Sequence, residues 1–435
     1  MAFTNLTHFL GKMKLMRSDR FQRPFVIAAA ALITGAGLLM APALQAQQAE
    51  PFEVNVIGGT SQPLEFAVIP FAGNAEVSSI VRADLERSGQ FKLAPESKVP
   101  ANLAGTNPDF AALNAAGLDF VLTGSVSGGT VSYRLLDVPN QSVVTSGSFS
   151  GGTRDVAHQV ADAIHLKTLN KKGAFFTRIA YVTSTGLGRN MRFKLIVADS
   201  DGANAQAVVE TDEPILSLNW SPDGSRIAYV SWLNGTSAVF QVNINTGKRT
   251  TLSSYKGINS APAFSPDGTQ MALSLSRTGN PEIYVMDLGS GQLRQITNDR
   301  GIDTEPVWSA DGRSLYFTSD RTGQPQIYRV SASGGSASRA SFSGNYNTSA
   351  QVTPDGQLAT LSGGNGGYSV AVAGKALSRS GSDERPSYAP NGMMLLFATG
   401  GRGGRLVGAS TDGRASFSIP TGGNAREAAW GPYRN

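Results

Sequence analysis

The chain has 435 residues, with 37 Lys and Arg against 32 Asp and Glu for a formal net charge of +5, and it contains no cysteine. Without cysteine there is neither a disulfide framework nor a thiolate site, so stability rests on burial alone. The positive charge does not mark a nucleic-acid binder, which needs a basic stripe: removing the first 46 residues takes away Lys12, Lys14, Arg17, Arg20, Arg23 and Asp19 and leaves 32 basic against 31 acidic side chains.

Those five basic residues precede an apolar run from Phe25 to Ala41, which is followed by Ala43-Leu44-Gln45-Ala46. A basic region, an apolar region and a small-residue zone make an export signal over residues 1–46, with cleavage expected after Ala46 and Ala43 as the competing site. At 17 residues, with Gly35 and Gly37 inside it, the run is short for a membrane anchor. A signal peptide on a cysteine-free chain suits a bacterial periplasmic protein with no membrane insertion after cleavage.

Residues 47–172 alternate strands and helices. Glu53-Val54-Asn55-Val56-Ile57 alternates as a strand should, and Phe66-Ala67-Val68-Ile69 reads as a buried strand. A helix is expected from Val77 to Ser88, closed by Gly89, and further strands at Asp119–Leu122 and Val131–Leu135. Thr153 is expected to cap a helix whose Val156, Val160 and Ile164 share one face. These elements describe a small α/β domain.

From residue 173 onward the chain repeats. Ser221-Pro222-Asp223-Gly224 returns as Ser265-Pro266-Asp267-Gly268, Ser309-Ala310-Asp311-Gly312, Thr353-Pro354-Asp355-Gly356 and Ala389-Pro390-Asn391-Gly392, at three intervals of 44 residues and one of 36. That is the period of a four-stranded blade. In the best-defined unit, strands at Ala261–Phe264, Met271–Leu275, Glu282–Asp287 and Leu293–Thr297 are joined by tight turns. Pro and Gly suit β-turn positions, and the Asp between them bonds its own backbone; one Asp per 44 residues does not make a calcium loop.

The ring must close without a raw sheet edge. Arg178-Ile179-Ala180-Tyr181-Val182 duplicates Arg226-Ile227-Ala228-Tyr229-Val230 but lacks the preceding turn, while Trp430-Gly431-Pro432 matches Trp220-Ser221-Pro222 near the end of the sequence. The last strand therefore completes the first blade, which gives a mostly β fold: a six-bladed β-propeller over 173–435 behind the small α/β domain. Gly400–Arg405 looks like an Arg-Gly tract, but its phase makes it the hairpin between the second and third strands of a blade. The recurrent Trp220, Phe264, Trp308, Tyr388 and Trp430 are expected to pack between blades, and Gly363–Gly367 marks a trimmed blade.

With strands A to D running alternately up and down, A–B and C–D turns share one face, and D–A and B–C loops share the other. The α/β domain enters at the strand beginning near Arg178, so it is expected on the turn face. The opposite face stays open around the central channel, and its D–A loops carry Asn259 and Ser260; Asp303, Thr304 and Glu305; Asn347 and Thr348; Asp383, Glu384 and Arg385.

Taken with the export signal and this domain order, Ala83-Asp84-Leu85, Ser88-Gly89-Gln90-Phe91, Gly173-Ala174-Phe175, Tyr284-Val285-Met286-Asp287-Leu288 and Thr304-Glu305-Pro306-Val307-Trp308 make the chain resemble the TolB family of the Tol-Pal cell-envelope system across residues 47–435. The resemblance implies a periplasmic, non-enzymatic binding protein that helps keep the outer membrane attached and constricted at division. The implied partners are the Pal lipoprotein, the inner-membrane protein TolA and other envelope proteins. It also implies a Pal site on the open face, at Asn259, Ser260, Asp303, Thr304, Glu305, Thr348, Asp383, Glu384 and Arg385. The TolA site would be Glu53, Val54, Asn55, Val56 and Ile57, adding as an edge strand to a partner sheet; the plain alternative is an edge strand of its own domain.

No cofactor, metal or catalytic residue is expected. The two histidines beyond the signal, His158 and His165, lie near one helical face and suit a surface or packing role. There is no Gly-x-Ser-x-Gly elbow. The competing reading is a propeller enzyme acting on envelope polysaccharide or peptide, with Glu305 and Glu384 facing one channel as a carboxylate pair.

Overall fold

The computed structural model describes residues 55–56, 64–99, 108–364 and 366–434. The signal, its cleavage site, Glu53, Val54 and Ile57 lie outside the described residues. In the amino-terminal region, β1 (Asn55–Val56), β2 (Leu64–Val68), β3 (Phe91–Leu93), β4 (Phe120–Ser127), β5 (Thr130–Asp137) and β6 (Ser142–Ser150) accompany helices α1 (Ala75–Arg87), α2 (Phe110–Ala115) and α3 (Thr153–Leu169). Strands β2 to β6 form one sheet in the order β3-β2-β4-β5-β6, parallel among the first three and antiparallel thereafter.

The period of two along β2 decides which helix covers which face. Phe66 and Val68 pack in one cluster with Val81 and Leu85 of α1 and Val160 and Ile164 of α3. Ala67 and Ile69 point the other way, into a cluster with Leu113 of α2 and with Val121 and Leu136. Helix α1 starts at Asn74, whose side chain accepts from the Glu76 N–H at 3.0 Å. The expected cap at Thr153 is not seen: Gly152 precedes α3 with no side-chain cap, and Thr153 is the first helical residue. A glycine there leaves the first-turn donors to backbone and solvent.

Six blades follow. Blade 1 is composite, with strand A from Asn424–Tyr433 paired to Thr177–Thr185, then Arg192–Asp199 and Gln206–Thr211. Blades 2 to 5 begin with strands A at Leu216–Trp220, Asn259–Phe264, Asp303–Trp308 and Asn347–Val352. Blade 6 runs from Ser387–Tyr388 through Met394–Thr399 and Arg405–Ser410 to Ala415–Ile419. Closure by the last strand is as expected. The Gly400–Arg405 stretch is a B–C connection containing the single 3₁₀ turn Gly401–Gly403.

The repeated aspartates are turn residues. Asp267 Oδ1 accepts from the Ser265 hydroxyl at 2.6 Å and the Thr269 N–H at 3.0 Å, and Asp311 repeats this with Ser309 and Arg313. The neighbouring hydroxyl holds both carboxyls below the usual range. Two of the tryptophans at the ends of strands A staple neighbouring blades together, with the Trp308 indole donating to Ala263 O at 3.0 Å and that of Trp220 to Ala429 O at 3.2 Å, while Trp430 donates to Thr177 Oγ1 at 2.8 Å within blade 1. In blade 5 both hairpins are trimmed: Gly364 pairs with Gly367 between strands B and C, and Val372 and Lys375 flank the two-residue C–D turn Ala373-Gly374, with φ of 48° and 77°.

Candidate functional site

The strands A of blades 1 to 5 carry a bulge in the same place. In blade 4, Thr304 pairs with Thr318 and Val307 with Tyr316, so Glu305 and Pro306 together oppose Phe317. The first residue of each such pair adopts a left-handed backbone: Ser217, Ala261, Glu305, Ser349 and Glu427, with φ between 48° and 55°. Non-glycine residues rarely sit there, and a bulge re-aims a side chain. Here it turns one residue in each of blades 1 to 5 toward the propeller axis, where strand A is innermost. In blade 6 the sequence position equivalent to these is Arg385.

The resulting collar is electrostatically lopsided. Blades 2, 3 and 5 contribute Ser217, Ala261 and Ser349, while blades 4, 6 and 1 contribute Glu305, Arg385 and Glu427. Glu305 accepts from the Thr318 hydroxyl at 2.8 Å and from the Ser349 N–H and hydroxyl at 2.8 and 2.9 Å. Glu427 accepts from the Ser217 N–H at 2.7 Å. Burial pushes the Glu427 carboxyl up, and the charge of Glu384 pushes it further. Glu384 itself pairs with Arg426 at 2.6 Å. Arg385 makes no hydrogen bond or ion pair among the described residues; burial lowers its pKa against the opposing pull of Glu305 and Glu427. On the turn side of Arg385 the strand-A ends enclose a cavity of about 230 Å³ lined by Trp220, Tyr388 and Trp430.

Four of the nine residues expected at the Pal site have no side chain to offer a partner. Asn259, Asp303, Thr348 and Asp383 are fully buried, and they open strand A or precede it instead of standing on solvated loops. Asn259 accepts from the Ser253 hydroxyl and the Tyr255 N–H and donates to Tyr255 O. Asp303 pairs with Arg321 at 2.7 Å. Asp383 accepts from the Val370 N–H and from the Ser378 and Ser380 hydroxyls. The physical reason at Asn259 and Asp383 is that the D–A loop leaves backbone groups beneath it that the Asx side chain satisfies, and at Asp303 it is the ion pair with Arg321. Ser260, Thr304, Glu305, Glu384 and Arg385 remain partly exposed.

The open face adds something the sequence reading missed. Among the described residues five large apolar side chains are exposed, and three of them stand on B–C or D–A loops: Leu187, Leu233 and Phe342, the last 79% exposed. The other two, Val143 and Leu166, belong to the amino-terminal region. Next to Phe342, Tyr346 and Tyr368 meet edge to face with ring centres 5.5 Å apart.

The turn face is covered by the α/β region, as expected. Gln90 bonds Asp412 at 2.9 Å, Asn391 donates to Lys172 O at 3.2 Å, and Arg434 pairs with Asp155 at 2.8 Å. Gly89 is positioned such that a Cβ would lie 2.8 Å from that of Ala415, so its lack of a side chain allows the close approach. Residues Asn55 and Val56 pair antiparallel with Ser416 and Ala415. The alternative placement, as an edge strand of the α/β domain, is therefore corrected: this strand extends blade 6 of the propeller, where strand D leaves an edge free.

Both histidines are packed inside the junction rather than on a surface. His158 Nδ1 donates to Asp84 at 2.7 Å, and His165 Nδ1 donates to Lys171 O at 2.6 Å. His158, Asp199 and Asp201 bring ligand-type atoms within 4.8 Å of one another. The cation among them is Arg154, which bonds Asp199 at 3.3 Å and also Asp201.

Residues 166–434 match the family model described as TolB beta propeller domain, and residues 52–144 match that of the TolB amino-terminal domain. The Tol-Pal system protein TolB of Xanthomonas oryzae pv. oryzae strain MAFF 311018 is 48% identical over 425 residues, spanning 91% of this chain and 97% of that protein. The protein of the same name from Xanthomonas euvesicatoria pv. vesicatoria is also 48% identical, covering 91% and 96%. A crystal structure of TolB from Acinetobacter baumannii superposes with a TM-score of 0.80 at 37% identity, over 88% of this chain and all of that one.

Proposed function

The chain belongs to the TolB family, and from that premise we propose that it is a periplasmic binding component of the Tol-Pal system, linking Pal on the open propeller face to TolA through residues 53–57. Cleavage after residue 46 releases a binding protein divided near residue 172 into an α/β domain and a propeller. No helix among the described residues is long and apolar enough to cross a membrane.

The observation that carries this reading is the contrast at the open face. The α/β region leaves it free, and there exposed Leu187, Leu233 and Phe342 surround a channel mouth holding Glu305, Arg385 and Glu427. Apolar anchors beside a few partly buried charges suit a protein-binding patch. Glu305 and Glu384 are each engaged by other side chains, Thr318 and Ser349 for one and Arg426 for the other, which gives no support to a carboxylate pair acting on a glycan.

Calorimetric titration with a soluble Pal domain from the same organism tests the reading. Saturable binding that weakens at least about tenfold, or ~1.4 kcal/mol, in Arg385→Ala supports the open-face site. Full affinity in that variant overturns the site, and no binding by the folded wild type overturns the partner. For TolA, deleting residues 47–58 should abolish binding, and unchanged binding refutes the amino-terminal site.

A further inference from the structure

The junction between the α/β region and the propeller contains a closed set of charges. Asp84 and Arg87 come from α1, Arg154 and His158 from α3, and Asp199 and Asp201 from the C–D turn of blade 1. Asp84 and His158 are 0% and 1% exposed, and Arg87 is 5% exposed. Arg87 pairs with Asp84 and reaches Asp201 at 3.8 Å, and Arg154 joins Asp199 and Asp201. Further out, Arg434 spans Asp155 and Asp199. Within these six groups the two guanidiniums offset two of the three carboxylates and a protonated His158 offsets the third; Arg178 and Arg434 lie further out, beside Asp199 and Asp155. A neutral His158 leaves the inner Asp84 facing one fewer cation, and unpaired buried charge is costly.

We propose that this cluster is a proton-operated clasp: protonated His158 draws Asp84 and, across the junction, Asp199 and Asp201 together, and loss of that proton loosens the α/β region from the propeller. The geometry has the required two sides. His158 Nδ1–H is committed to Asp84 within its own domain, and a ring nitrogen of His158 lies within 4.8 Å of the propeller carboxylates Asp199 and Asp201. Without its proton Nε2 can accept from the Arg154 guanidinium at 3.5 Å and exerts no attraction on Asp201; with it, Arg154 opposes the charge that Asp84 and Asp201 favour. Burial opposes charging His158, but Asp84 and Asp201 outweigh it and raise its pKa, with Arg87 acting against them.

The sign follows from linkage. A histidine whose folded pKa is raised contributes stability that is fully present below its unfolded value of about 6.5 and is lost as pH rises through the folded value. On the same helix, Asp162 accepts from the Phe175 and Phe176 N–H groups of the connecting segment, and burial pushes it up to about 7. A raised carboxyl favours the folded state at low pH, so Asp162 acts in the same direction over the acid side of the window. His165 is the internal control: burial lowers its pKa and it faces Lys171 O instead of a carboxylate.

The test is an NMR titration of the two imidazoles in the protein lacking residues 1–46, assigned with His165→Gln, beside thermal unfolding from pH 6 to 9. His158 should titrate above the ordinary histidine value and His165 below it. Amide exchange of α3, taken relative to strand B of blade 4 to cancel base catalysis, should quicken several-fold as His158 deprotonates. His158→Asn, which keeps a donor for Asp84, should flatten both that ratio and the fall in Tm on the alkaline side. A wild-type His158 that titrates at or below the ordinary value, or an exchange ratio independent of pH, overturns the clasp even if the variant fails to fold.

Discussion

The two faces of the propeller handle charge in opposite ways. On the turn face, three carboxylates, two guanidiniums and an imidazole are interlocked and mostly excluded from water, with Asp84 and His158 essentially inaccessible. On the open face, Glu305, Arg385 and Glu427 stay partly exposed, Arg385 is bonded to neither acid, and isolated apolar side chains stand around them. A satisfied buried network holds two bodies in one arrangement. A partly satisfied ring at a wet mouth is available to another molecule. The same blade architecture thus gives one face that holds the α/β region and one that the proposed function assigns to binding.

Breaking the holding face should have the largest effect. Asp84→Ala removes the carboxylate that His158 bonds and that Arg87 shares with Asp201, and should cost about 3 to 5 kcal/mol in denaturant unfolding. A loss below about 1 kcal/mol would mean that the network carries no stability. The open face should respond more weakly. Glu305→Gln removes the charge from the hydrogen bonds to Thr318 and Ser349 and should cost about 1 kcal/mol, while also weakening Pal binding. An effect as large as that of Asp84→Ala would erase the distinction between the faces.

Smaller effects sharpen the comparison. Phe342→Ser should leave stability within about 0.5 kcal/mol and weaken Pal binding by at least ~1 kcal/mol, as read by calorimetry. Leu166→Ser, an exposed apolar side chain of the α/β region, should alter neither stability nor Pal affinity by more than about 0.5 kcal/mol. Equal losses of affinity in these two variants would show that exposed apolar residues do not distinguish the open face.

Much of the fold was legible because turn chemistry repeats with the chain. Asp-Gly turns at fixed spacing located strands A and B in four blades, and Trp430 beside Gly431-Pro432 announced the closing strand. The bulge was not legible, since Ser217, Ala261, Glu305 and Ser349 share a position but no chemistry; their common feature is a backbone angle. The loop residues were misread for a related reason. Asn259, Asp303 and Asn347 sit 44 residues apart, and that regularity of a small polar side chain pointed to a local backbone task rather than a surface. The pairing of Asn55 and Val56 with blade 6 depends on which sheet edge the fold leaves free, a tertiary fact. At the junction, the 3.6-residue period placed His158 on α3, but only packing brought Asp84 and Asp201 to it.

The central claim is that partners meet the open face while the turn face serves the chain itself. Hydrogen-exchange footprinting with the soluble Pal domain tests it most directly. Protection confined to the loops around Leu187, Leu233 and Phe342 and to strands A near Glu305 and Arg385 is the predicted result. Protection around Gln90, Asp412 and Arg434, with the open face unchanged, would contradict it.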